Sequence, residues 1–306
     1  MNIYSLYITR SHDELKYFNK ILDFIKQFNN YQIVHLHFKS NDRCSNLTIN
    51  KKNINVSIYT PEQSVDRKIK SLNNLIKCYQ HKDGKSIWIY SGHSDGMYLK
   101  KKNIKILRIE DFCKIIQNIT GTADLMILDC CLCGNINCLS ICYQFTDYLI
   151  ASTSYQSMIS FLYIKELYQN NLNIVSLGKQ LIKSAISLEN KNLSKSFPSA
   201  FILYHLNETL LQFFYMVMYF KHLFKSLTNY VIDKKYYKDI ECCFKELGFD
   251  ISGILKEIII YQRYPRQICR NKTLPKNADY SIPSRIMIVT KRPCKNITTD
   301  SDCFLI

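Results

Sequence analysis

Glycine and proline are scarce: the 306 residues contain 8 and 6 of them, against 22 tyrosines and 16 phenylalanines. That balance argues against a disordered or low-complexity chain, which would be poor in aromatics and rich in Pro and Gly. A membrane-spanning run is missing too. The most apolar stretch, Leu210 to Phe220, stops at Lys221 and His222, short of the about 20 residues that a bilayer crossing takes. A buried helix, and no membrane partner, are expected there. Met1 to Ile8 has neither a basic start nor a small-residue cleavage site and reads as a first strand.

What is present is ample core material, 47% hydrophobic residues, enough for one large domain or two modest ones. Lysine, asparagine, isoleucine and tyrosine abound, as in an AT-rich coding sequence, so many surface positions reflect base composition. The formal charge of +16 is spread over short runs such as Lys51-Lys52, Lys100 to Lys102 and Lys234-Lys235. No recognition motif accompanies them, so they read as solvated faces and not as a nucleic-acid site. Thirteen cysteines, an odd number unevenly clustered, fit reduced thiols in a cytoplasmic protein.

Along the chain, strand and helix patterns alternate. Residues 3–8 alternate as a strand, and Leu15 to Phe28 carries apolar residues at helical spacing. A second strand runs from Tyr31 to Phe38, where His35 and His37 share a face but have no third metal ligand nearby. The polar stretch Ser40 to Ser45 reads as a loop, Asn53 to Tyr59 as β, and Pro61 to Tyr79 as a helix. Ser86 to Tyr90 is a strand, 97–99 and 104–107 form a hairpin, 109–119 is a helix and 124–128 a strand buried on both faces. A helix over 138–145, a strand over 148–152, a helix over 174–186 and a strand over 197–206 follow. Such alternation predicts an α/β fold with a mostly parallel sheet. Three helices, over 208–227, 233–247 and 251–261, form a helical C-terminal region. Tyr264 to Ile306 holds four of the six prolines and many basic residues, and is expected to be irregular or disordered. The expected division is an α/β domain over 1–206, a helical appendage over 207–262 and a basic tail over 263–306.

Two strands end on chemistry. Ile87-Trp88-Ile89-Tyr90 runs into Ser91-Gly92-His93-Ser94, and Met126-Ile127-Leu128 runs into Asp129-Cys130-Cys131-Leu132-Cys133-Gly134. Functional groups of parallel α/β sheets gather beyond the carboxyl ends of the strands. One β-α-β crossover fills the interval between the two stretches, so neighbouring strands bring an imidazole and a thiol to one rim. A thiol is mostly protonated at neutral pH, and an imidazole supplies the base it lacks. The backbone N–H groups of Ser94 and Cys131 are candidates for an oxyanion hole. Cys130, one residue off on a strand, points to the opposite face and belongs to the core.

Tyr90-Ser91-Gly92-His93 resembles the Tyr-Ser-Gly-His-Gly of metacaspases. Asp129-Cys130-Cys131-Leu132-Cys133-Gly134 resembles their Asp-x-Cys-His-Ser-Gly and, more closely, the Asp-Ala-Cys-Leu-Met-Gly of clostripain-like peptidases. Ile150-Ala151-Ser152-Thr153-Ser154 is similar to the Ala-Ser strand end that follows the nucleophile in both groups. The resemblance covers about residues 1–206 and implies a caspase-like three-layer sandwich. It makes Cys131 the nucleophile and His93 the general base of a cysteine endopeptidase, with Asp129 and Ser152 in the pocket for a Lys or Arg before the scissile bond. Ser94 departs from the family's glycine. The implied partner is a protein or peptide substrate; no metal or other cofactor is expected, and whether calcium is needed for activation is not readable from the sequence. Two other readings stand beside this one: an inactive caspase-like adaptor or decoy, and a basic nucleic-acid-binding protein. The set Cys131, Cys133, Cys138 and Cys142 lacks the paired spacing of structural zinc sites.

Overall fold

A computed structural model describes residues 2–8, 20–21, 23–24, 27–28, 32–38, 44–50, 54–59, 84–101, 104–153, 160–169, 173–191, 200–224, 231–233, 237–263 and 286–289. Its centre is a mixed sheet. Strands β1 (Asn2–Ile8), β2 (Gln32–Phe38), β3 (Cys44–Asn50), β4 (Ile54–Tyr59) and β5 (Ser86–Ser91) come first. A small ribbon follows, made of β6 (His93–Ser94), β7 (Tyr98–Lys101) and β8 (Ile104–Arg108). The main sheet resumes with β9 (Leu125–Asp129), β10 (Tyr148–Ser152) and β11 (Phe201–His205). A second small sheet joins β12 (Val231–Asp233), β13 (Tyr237–Asp239) and β15 (Met287–Val289), whereas β14 (Ile259–Arg263) belongs to the main one.

The main sheet has nine strands in the order β14-β11-β10-β9-β5-β1-β2-β3-β4. Its centre, β10-β9-β5-β1-β2, is parallel throughout. On both sides the sheet continues antiparallel, through β11 and β14 on one side and β3 and β4 on the other.

Strand alternation divides the core into two layers. Tyr4, Trp88, Tyr90, Met126, Leu128, Ala151, Ile202 and Tyr204 face one side, in a cluster with the helices Ile109–Thr120, Ile136–Cys142, Glu208–Phe224, Ile240–Glu246 and Ser252–Ile258. Ile3, Ile87, Ile89, Leu125, Ile127, Ile150, Phe201 and Leu203 face the other, against the helix Ile174–Lys191, the short turns Phe161–Tyr163 and Lys165–Tyr168, and Ile21 of a first helix. Helices on both faces of a mostly parallel sheet are what the alternation predicts, and together they make the three-layer sandwich that the resemblance implies.

Several elements depart from expectation. β3 begins inside the stretch read as a loop. Its sequence Cys-Ser-Asn-Leu-Thr-Ile-Asn is polar, and pairing with β2 and β4 decides its conformation. The helix expected over 138–145 starts at Ile136, because the Asn135 side chain accepts from Cys138 N at 3.0 Å as an N-cap. Tyr237–Asp239 is a strand and not the middle of a helix, and Asp239 caps a shorter helix by accepting from Cys242 N. The last expected helix ends at Ile258, where Ile259–Arg263 turns to pair with β11. The helix expected over 61–79 lies outside the described residues. So does most of 264–306, apart from 286–289, where Met287–Val289 pairs with β13.

Candidate active site

Strands β5 and β9 pair in parallel at a constant separation of 38 residues, from Ile87 with Leu125 to Ser91 with Asp129. At their carboxyl ends the contact tightens: Ser91 Oγ donates to Asp129 Oδ2 at 2.9 Å and Gly92 N donates to Asp129 O at 3.3 Å. His93 and Cys131 each stand two residues beyond the last rung, again 38 apart. His93 and Cys131 therefore follow two neighbouring strands at the same end of the sheet.

The histidine side is a wired loop. Tyr90 Oη donates to His93 O at 2.9 Å from inside the core, and His93 and Ser94 pair as β6 with Lys100 and Leu99. Asp95 Oδ1 accepts from Met97 N and Tyr98 N at 3.2 and 2.9 Å, an Asx turn that brings β7 back. Gly96 sits in this turn at φ 84°, a left-handed angle that a side chain resists. His93 is 8% exposed.

On the thiol side, Cys131 is 3% exposed and Cys130, 1% exposed, packs into the helix-side core. Leu132 follows at φ 64°, a left-handed angle rare for a residue with a Cβ. Gly134 then passes so close to β10 and β11 that a Cβ would lie 2.5 Å from Thr153 Cγ2 and 2.7 Å from Tyr204 Oη. Its N–H donates to Ser152 O at 2.7 Å.

Asn135 ties the two loops together. Fully buried, it donates from Nδ2 to Leu132 O at 2.8 Å and to Gly96 O at 2.9 Å, while its Oδ1 caps the next helix. A second link joins Ser94 Oγ to Cys133 Sγ at 3.3 Å. Behind Cys133 lies a chain of buried thiols: Cys130 Sγ is 3.2 Å away, Cys138 is hydrogen-bonded to Cys133 and Cys142, and Cys142 Sγ stands 3.9 Å from Cys113 Sγ. Burial and the bond to Cys133 push the Cys130 thiol well up. Burial also raises Cys133, but hydrogen bonds with Cys130, Cys138 and Ser94 outweigh it and hold that thiol well below its ordinary range. Among the described residues, no group of three or more His, Cys, Asp or Glu could hold a metal ion.

The two candidate pocket residues lie near this rim. Asp129, 5% exposed, also accepts from Phe161 N at 3.2 Å, so its carboxylate sits between β5 and the segment that follows β10. Ser152 is fully buried, and its carbonyl anchors Gly134. Neither Asn135 nor the Cys130–Cys133 pair is singled out by the sequence, and only the pair carries a signal there, the Cys-x-x-Cys spacing of Cys130-Cys131-Leu132-Cys133.

No protein-family model and no curated protein matches the chain. Solved structures do. An inactive zymogen of a C11 protease from Parabacteroides distasonis superposes with a TM-score of 0.64 over 95% of this chain and 92% of its own, at 11% identity. A secreted C11 cysteine protease from Bacteroides thetaiotaomicron, in complex with an irreversible peptide inhibitor, gives 0.63 over 86% and 84%, at 12% identity. The chain has the fold of the C11 cysteine proteases. A further structure of the secreted B. thetaiotaomicron enzyme, with a TM-score of 0.61 over 94% of this chain and 93% of its own, repeats that C11 likeness. The C11 fold extends over residues beyond 206, where the sequence motifs alone do not reach.

Proposed function

We propose that the chain is a cysteine endopeptidase in which Cys131 attacks the scissile carbonyl and His93 is the general base. The observation that carries this reading is the constant register of β5 and β9, with His93 and Cys131 at the same separation just past the last pair. In the proposed reaction His93 takes the thiol proton as Sγ bonds to the carbonyl carbon. The N–H groups of Ser94 and Cys131 hold the oxyanion, and His93 returns the proton to the leaving amine. Water, deprotonated by the same imidazole, then hydrolyses the acyl-enzyme.

Asp129 is the proposed selector. A buried carboxylate at the rim favours a Lys or Arg side chain before the scissile bond, since opposite charges attract more strongly away from water. Ser152 completes that wall. The reaction requires no metal, so activity should persist in a chelator; dependence on calcium would overturn that part. A cytoplasmic location and a protein or peptide substrate belong to the same proposal, with neither a membrane nor a nucleic-acid partner.

The test is hydrolysis of Lys- and Arg-terminated fluorogenic peptides. Cys131→Ala and His93→Ala should each remove activity, and Cys130→Ala should keep most of it; the reverse pattern for the two cysteines would sink the assignment. A second reading, an inactive adaptor on the same fold, draws on the near-complete burial of His93 and Cys131. A thiol-reactive probe separates the two. Selective labelling of Cys131 that is lost in His93→Ala supports the enzyme, and no labelling of the folded chain supports the adaptor.

A further inference from the structure

Cys130, Cys131, Leu132 and Cys133 turn the chain sharply after β9. The third of them, Leu132, has the positive φ that a type II turn requires at that place. A β-turn keeps its first and fourth Cα atoms within about 7 Å, close to the range in which a disulfide can close. Those positions are Cys130 and Cys133, both free thiols, with sulfurs 3.2 Å apart.

Buried cysteines often serve only as small apolar side chains, and Cys113 and Cys142 fit that description at 3.9 Å. The pair at the turn differs. Its sulfurs are closer, its residues belong to one turn, and Cys133 gathers hydrogen bonds from Cys130, Cys138 and Ser94. Those bonds favour the thiolate, the form that reacts.

We propose that Cys130 and Cys133 form a reversible disulfide, closed by a hydroperoxide, that switches off the neighbouring Cys131 site. With hydrogen peroxide, the Cys133 thiolate attacks one oxygen, the O–O bond breaks, and the departing hydroxide takes up a proton as water, leaving a sulfenic acid. The Cys130 sulfur then attacks the Cys133 sulfur: an S–S bond forms, the S–O bond breaks, and a second water leaves with the Cys130 proton. Two thiols lose two electrons and the peroxide gains them. Closure to about 2.05 Å draws the sulfurs together by about 1 Å. Cys133 thereby leaves Ser94, the residue after His93, and the turn carrying Cys131 is stapled in a new shape. The effect on activity rests on the peptidase reading; the bond itself does not.

The bond is tested in the 306-residue Cys131→Ala chain, where the proposed nucleophile cannot react. Reduced protein is treated with hydrogen peroxide, alkylated, and analysed by intact mass and peptide mapping. The expected result is loss of two hydrogen masses with a Cys130–Cys133 link, reversed by dithiothreitol and absent when Cys133→Ala is added. No link, or a link confined to other cysteines, overturns the site. In the chain that retains Cys131, a dose that closes the link should lower peptide hydrolysis by about 100-fold, the scale of a 1 Å misplacement, with recovery in dithiothreitol. Cys130→Ala should resist that loss. A closed link with unchanged hydrolysis overturns the switch, as does equal loss in Cys130→Ala. A reduced chain with no hydrolysis at all counts against the peptidase reading, and the mass measurement still decides the disulfide.

Discussion

Asn135 shows how much one side chain can hold in place. Its amide satisfies Gly96 O and Leu132 O while its oxygen satisfies Cys138 N, so both loops and a helix start depend on it. Leaving buried groups unpaired costs about 1–3 kcal/mol each. Asn135→Ala is therefore expected to lower stability by about 3 kcal/mol in urea unfolding, and to reduce kcat far more than it changes KM. Asn135→Ser separates the roles, because serine can still cap the helix but is too short to join the loops. Its stability should recover in part while kcat stays low; a Ser variant as active as the parent would show that the bridge positions nothing. His93 and Cys131 stand out in the sequence because each follows the end of an apolar strand as a reactive group. Asn135 does not, since asparagine is common throughout this chain and its role exists only once two loops 39 residues apart meet.

At the level of elements, the close approach of Gly134 to Ser152 and Thr153 at the end of β10 and to Tyr204 of β11 fixes where the thiol turn can lie. A methyl group there meets Thr153 Cγ2 and Tyr204 Oη at distances that force movement. Gly134→Ala should therefore destabilise the chain by about 1–3 kcal/mol, or about 2–5 °C in thermal unfolding. Thr153→Ser, which removes the nearer methyl, should restore part of that loss. No recovery would mean that the contact is not the cause. The parallel strands β5, β9 and β10 were legible because strands covered on both faces read as continuous apolar runs. β3 was not, with asparagine and serine in a strand held by its neighbours, and neither was β14, whose Ile259-Ile260-Tyr261 continues a helical pattern until pairing with β11 overrides it.

At the scale of the whole molecule, contacts cross the boundary at residue 206 where the sequence changes character. β14, from beyond that point, extends the main sheet next to β11. Phe213, Val217, Phe224, Phe244, Leu255 and Ile258 are all buried in the same cluster as Tyr90, Leu128 and Tyr204. Burying each such side chain contributes about 1.5–3 kcal/mol, so together they match the about 5–15 kcal/mol by which a domain is stable. A chain ending at 206 should therefore fail to fold: its near-ultraviolet circular dichroism should be flat, and proteolysis should degrade it within the β9 to β11 region. The full chain should resist under the same conditions. A cooperative thermal transition in the 1–206 fragment would instead establish an independent α/β domain, and would assign the later helices to a separable layer over the face of the sheet that Tyr90 and Cys130 share.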